Sequence, residues 1–189
     1  MILWAGSTRG PRATPGKYQA RLTVNGKTLT ADFEIRKDPR LKTTQEEFDK
    51  QLALLTQIRN KLTESHEGII RIREVKRQLD DWTSKHKELE PQAKEILKKL
   101  SAVEEELYQT KLRSNQDPLN YPIKLNNKLA ALGGIVGSAD AAPTDQSYQL
   151  HEELTSKINA QLKLMKATLD GDVAEFNKTV REKNLAAVK

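Results

Sequence analysis

Two hydrophobic periodicities divide the chain. Between Tyr18 and Ile35 the period is two. Tyr18, Ala20, Leu22 and Val24 alternate with Lys17, Gln19, Arg21 and Thr23, and Leu29, Ala31, Phe33 and Ile35 alternate with Thr28, Thr30, Asp32 and Glu34. Such alternation places each apolar set on one face of a strand. Between the runs stands Asn25-Gly26, a preferred pair for a type I′ turn because both central positions need φ > 0. A two-residue loop there sets Val24 opposite Lys27, Leu22 opposite Leu29, Ala20 opposite Ala31 and Tyr18 opposite Phe33. The turn and the pattern therefore demand one register.

From residue 44 the steps become three and four. Thr44-Gln45-Glu46-Glu47 has the form of a capping box. Phe48, Leu52, Leu55, Ile58, Leu62, Ile69, Ile72, Val75, Leu79 and Trp82 then predict one long helix over about 45–86, with a bend at Gly68 as its one soft point. Pro91 suits a first helical turn. Ala93, Ile96, Leu97, Leu100, Val103 and Leu107 predict a second helix, about 90–112, folding back on the first. Residues 113–121 read as a loop. Pro122 opens a third helix, with Ile123, Leu125, Leu129, Leu132 and Ile135, which ends near Gly133-Gly134 or Gly137. After the connector 137–143, Pro143 or Thr144 starts a fourth helix with Tyr148, Leu150, Leu154, Ile158, Leu162, Met165 and Leu169. Asp170-Gly171-Asp172 is expected to break it before a last short helix with Val173, Phe176, Val180 and Leu185. The pattern thus predicts a mainly α protein: an antiparallel helical bundle with a long helical hairpin, preceded by a β-hairpin.

A lone hairpin is marginal in water, and this one has an apolar face to cover. Upstream, only Met1-Ile2-Leu3-Trp4 offers one short strand, and Gly6–Gly16 is loop-like. Two readings follow. Either the hairpin packs on the helices, or the chain begins inside a longer one whose sandwich it completes. The unpaired strand edges favour the second. Tyr18, Leu22, Leu29 and Phe33 should be covered by helices or by a second copy of the chain.

Charge adds a location. The 189 residues carry 32 Lys and Arg against 26 Asp and Glu, a formal net charge of +6. Residues 1–43 hold nine basic and three acidic side chains, and the remainder is balanced. The excess flanks a hairpin without an aromatic stacking platform, so nucleic acid is a weak alternative partner. Zero Cys excludes thiol nucleophiles, disulfides and Cys-ligated metals. No apolar run has the roughly 18 residues that cross a bilayer.

The search for chemistry is negative. His66-Glu67 and His151-Glu152 open like a zinc helix, but the residues four after each His are Ile70 and Thr155, so no second ligand follows. His66 reads instead as a seam histidine. The pairs Glu46-Glu47, Asp80-Asp81 and Glu152-Glu153 are neighbours on helices and diverge by about 100°, unlike the facing acids of a glycosidase. Gly133-Gly134 with Gly137 lacks a preceding strand and reads as a helix end. Asn177-Lys178-Thr179 matches a short glycosylation pattern, but within a helix. Trp82 reads as core, and Trp4, near Arg9 and Arg12, as an exposed residue of an interface. No catalytic, cofactor-binding or metal-binding residue is assigned, and the chain itself is not expected to be an enzyme.

ILWAGSTRGPRATPGKYQARLTVNGKTLTADFEIRKDPR (2–40), SNQDPLNYPIKLNNKLAAL (114–132) and APTDQSYQLHEEL (142–154) together resemble the C-terminal region of large bacterial proteins with sortilin-like BNR (Asp-box) repeats, often described as glycosyl hydrolases or sialidase-like proteins. The resemblance implies a β-propeller first, then an immunoglobulin-like module whose closing strands are the hairpin, then a helical tail. It divides the chain into 1–43, the end of that module, and 44–189, a helical domain. Met1 falls inside the resemblance, which implies a fragment or a late start. The implied parent is periplasmic or extracellular, although no signal peptide is visible in this sequence. The repeats and any catalytic acids of that family lie in the propeller, so no catalytic role carries over to a residue here. The expected function is that of a non-catalytic accessory or interaction module. Its expected partners are the propeller or immunoglobulin-like domain of the parent, or a second copy through the hairpin face.

Overall fold

A computed structural model describes residues 10–183. The strand expected over Met1–Trp4, the interface role of Trp4, and Leu185 at the end of the last helix lie outside the described residues.

The order is β1 (Gly16–Val24), β2 (Lys27–Ile35), α1 (Gln45–Lys85), α2 (Glu90–Leu107), α3 (Leu125–Val136), α4 (Asp145–Thr168) and α5 (Ala174–Glu182). β1 and β2 pair antiparallel in the register that the turn demands, from Gly16 opposite Ile35 to Val24 opposite Lys27. Asn25 and Gly26 take φ of 50° and 75°, as a type I′ turn needs.

The helices form three rods. α1 is the first, 41 unbroken residues and about 60 Å long. α2 and α3 stand end to end along it and together make the second. Arg73 meets Glu104 towards the middle of α1, His66 meets Asn126, and Gln51 donates to the Val136 carbonyl near its start. Numbers fall on one rod as they rise on the other, so both shorter helices run antiparallel to α1. α4 and α5 make the third rod, running with α1 and against α2. Lys61 reaches Asn159, Lys99 reaches Asp172 and Lys183 reaches Glu88. The rods close over Leu54, Ile58, Ile69, Ile72, Val75 and Leu79 of α1, with Ile96, Leu100 and Leu107 of α2, Leu129 and Leu132 of α3, Ile158 of α4 and Phe176 of α5. Each fully buried side chain of this kind contributes about 1.5–3 kcal/mol of transfer free energy.

The boundaries follow expectation in part, and packing accounts for some of the differences. α1 runs unbroken through Gly68. A Cβ built there would stand 2.7 Å from Leu162 Cδ2, so the glycine leaves room for Leu162 of α4 against α1. α3 runs through Gly133-Gly134 and ends on Gly137, the second of the two expected ends; Gly133 lies against Ile58 Cγ2 and lets the two helices approach. It starts at Leu125, three residues after Pro122, and α2 ends at Leu107. Asp170-Gly171-Asp172 does not break the third rod. Leu169–Val173 form a π turn, and the backbone stays helical on both sides. The wider turn keeps Leu154, Ile158, Leu169, Val173, Phe176 and Val180 on one seam, while Lys99 and Lys166 pair with Asp172 and Asp170.

The hairpin takes no part in this core. Leu22, Leu29 and Phe33 are 59%, 70% and 49% exposed, and Tyr18 is only half-buried. The expectation that the helices cover this face is not met. The seams of the helices close on one another and do not turn towards the sheet.

Candidate functional site

Two surfaces are not accounted for by the core. The first is the hairpin face. Tyr18 stacks on Phe33 with ring centroids 5.7 Å apart, and the Tyr18 hydroxyl donates to the Thr14 carbonyl at 2.7 Å. Leu22 and Leu29 lie opposite each other and Val24 opposite Lys27, so the apolar strip extends to the turn. The reverse face is polar: Gln19 donates to Asp32 at 3.0 Å and the Thr23 and Thr28 hydroxyls meet at 3.1 Å. Among the described residues the sheet has two strands, and each keeps one unpaired edge. The arrangement can take a second layer on one face or a further strand on either edge.

The second is a cleft of about 660 Å³ where the segment around residues 10–15 and the base of the hairpin pass over α1 and α3. Its floor includes Leu52, Leu55 and Leu62 of α1, and Gly133 and Gly137 give it a smooth side. Clasps hold the crossing chain. The Arg12 guanidinium donates to the Gly137 carbonyl at 3.1 Å and lies 3.7 Å from Asp140. Lys37 donates to the Thr43 carbonyl, and the Thr43 hydroxyl donates to the Asp140 carbonyl at 2.6 Å. Gln51 fixes the same connector by donating to the carbonyls of Val136 and Ala139.

The residues weighed for chemistry do not converge. His66, half-buried at one end of the cleft, has Nε2 3.3 Å from Asn126 Nδ2. Burial holds its imidazole below the ordinary histidine value. His151 lies on α4 beside the Thr155 hydroxyl, shifted down by burial and then by Lys61. The acidic pairs part as expected of helix neighbours. Glu47 accepts from Thr44 in the capping box while Glu46 pairs with Lys50, and Asp81 pairs with Arg77. Glu153 pairs with Lys157 on α4. Trp82 packs against the core edge with its ring 5.0 Å from His86. Among the described residues no three His, Cys, Asp or Glu side chains are grouped to hold a metal ion, and no helix is long and apolar enough to cross a membrane.

One polar centre was not foreseen. Glu104 is 4% exposed and receives Arg73 at 2.6 Å and Lys76 at 3.0 Å, while Arg73 also lies over the Tyr108 ring at 5.0 Å. Its sequence signal was slight, since Glu104-Glu105-Glu106 reads as a solvated run. With both carboxylate oxygens engaged, it reads as a structural cross-tie between α1 and α2. Comparison of the chain with protein-family models, with curated proteins and with solved structures finds no match to any of them.

Proposed function

We propose that this chain is a non-catalytic accessory module, the C-terminal part of an exported protein with BNR repeats, and that its hairpin is the surface through which it joins its partner. The partner in this reading is the propeller or immunoglobulin-like domain of the same parent. The observation that carries the reading is the open apolar strip of Tyr18, Leu22, Leu29 and Phe33, presented on a paired, correctly registered hairpin by a bundle whose own core is closed. An exposed apolar strip with polar residues on its reverse face marks an interaction site. A second sheet layer packs about 10 Å from such a face, as in a sandwich.

The test is calorimetric titration of the full chain with a separately produced parental propeller and immunoglobulin-like region. The expected result is saturable binding, weakened at least tenfold by Leu29→Asp with helical content unchanged. Absence of binding, or turnover of a chromogenic glycoside or sialoside by the chain itself, would contradict the proposal.

A further inference from the structure

The cleft beside α1 joins an apolar floor to an uncommitted cation. Phe48, Leu52 and Leu55 of α1 line it, with Gly133 and Gly137 of α3 alongside, and the segment around residues 10–15 partly roofs it. Its volume, about 660 Å³, lies within the roughly 300–1,000 Å³ of small-molecule sites. Most charges around it are already matched. Arg12 lies 3.7 Å from Asp140, Arg36 pairs with Glu34 at 2.9 Å and Asp38 with Arg40 at 2.6 Å. Lys37 is held by the Thr43 carbonyl. Arg59 is the exception. It is exposed, it stands one turn after Leu55 on the same face of α1, and its guanidinium meets only the neutral Asn60 side-chain oxygen, at 2.8 and 3.1 Å. Among the described residues no carboxylate lies within ion-pair distance of it.

We propose that this cleft binds an apolar carboxylate, a fatty acid of medium chain length, with its carboxylate on Arg59 and its chain laid along Leu55, Leu52 and Phe48. Charge selects the head. A guanidinium takes a carboxylate through two parallel hydrogen bonds, and Arg59 has only a neutral acceptor to give up. The apolar walls beside it lower the local dielectric and strengthen that pair. Shape selects the tail. From Arg59 back to Phe48 the helix covers about 16 Å, enough for a single extended chain such as that of decanoate. Gly133 and Gly137 present no side chain to obstruct it. The same features exclude a polyanion. One free cation stands over an apolar floor, and Asp38 and Asp140 in the wall would repel further negative charge. A ligand seated here touches both the bundle and the segment that leads into β1, so it ties the base of the hairpin to the helices.

The test is calorimetric titration of the full chain with decanoate, below its micelle concentration, and with the neutral 1-decanol. Decanoate is expected to bind saturably at one site, and decanol roughly tenfold more weakly, as the loss of a charge-assisted contact implies. Arg59→Gln should remove that difference, weakening decanoate about tenfold and leaving decanol unchanged. Leu55→Asp should abolish both, with helical content unchanged by circular dichroism. Leu29→Asp, on the open hairpin face, should alter neither. Absence of saturable decanoate binding would overturn the proposal, as would equal affinity for the acid and the alcohol. Binding lost in Leu29→Asp but kept in Leu55→Asp would place the ligand on the hairpin and overturn it too. No step of the test needs a parent protein, so the proposal can fail while the accessory-module reading stands.

Discussion

At the residue scale the unequal pair is Glu104 and its two cations. Glu104 is buried, whereas the side chains of Arg73 and Lys76 keep 45% and 29% of their exposure. If the acid is removed, both cations can turn to water. If the cations are removed, a carboxylate stays buried without a partner, which costs about 3 kcal/mol or more. Arg73→Met with Lys76→Met should therefore lower stability more than Glu104→Leu does, as read by urea unfolding. The reverse order would refute the cross-tie. His66 gives a pH dependence. Its folded pKa lies below its unfolded value of about 6.5. Protonation then favours the unfolded chain, so the contribution is fully present above that value and is lost as pH falls from it through the lower folded pKa. The melting temperature should be level from pH 8 to about 7 and decline below about 6.5, before the carboxylates titrate. His66→Gln with His151→Gln should flatten that decline, since His151 shifts in the same direction. A decline that the double variant leaves unaltered would assign it elsewhere. The seam position of His66 was legible from its spacing. The buried state of Glu104 was not, because a three-residue acidic run carries no sign of which member turns inward.

At the element scale, caps and close approaches decide where helices start and how near they lie. Thr44 accepts from the Glu47 amide and Glu47 returns a contact to the Thr44 amide. Thr44→Ala should cost about 1 kcal/mol, measurable as a lower urea midpoint at unchanged slope. Gly68→Ile forces a branched side chain towards Leu162 and should cost about 2 kcal/mol, partly recovered when Leu162→Ala is added. Full additivity of the two changes would show that the helices do not meet there. These elements also show what periodicity can and cannot reveal. The hairpin was readable to its register, because a period of two and an Asn-Gly turn each fix the same pairing. The glycines within the helices were less legible. A glycine within a helical pattern reads as a stop or a bend, but Gly68 and Gly133 instead answer to a neighbouring helix, a tertiary cause outside any local window. The π turn at Leu169–Val173 escaped for a related reason: Asp-Gly-Asp has breaker chemistry, and the seam continuing on either side outweighs it.

At the scale of the whole molecule, four substantial helices and a fifth short one resolve into three rods, because α2 and α3 share the length of α1. The mainly α bundle with a long helical hairpin was legible in the sequence. The end-to-end sharing was not, since α2 is as amphipathic as a helix that runs the full bundle. The position of the hairpin was the least legible feature. Its apolar face argued for cover, and the bundle leaves it open. Residues 10–43, the hairpin and its flanks, carry eight basic and three acidic side chains beside a balanced bundle, so the charge marks the part of the molecule proposed to meet a partner.

The proposal that the hairpin is a docking surface is tested most directly by amide hydrogen exchange on the full chain, alone and with the parental propeller and immunoglobulin-like region added. The account predicts added protection concentrated in Gly16–Ile35, with the bundle core from Leu54 to Leu79 equally protected in both states. Protection that leaves the hairpin unchanged, or that falls on the bundle alone, would contradict it.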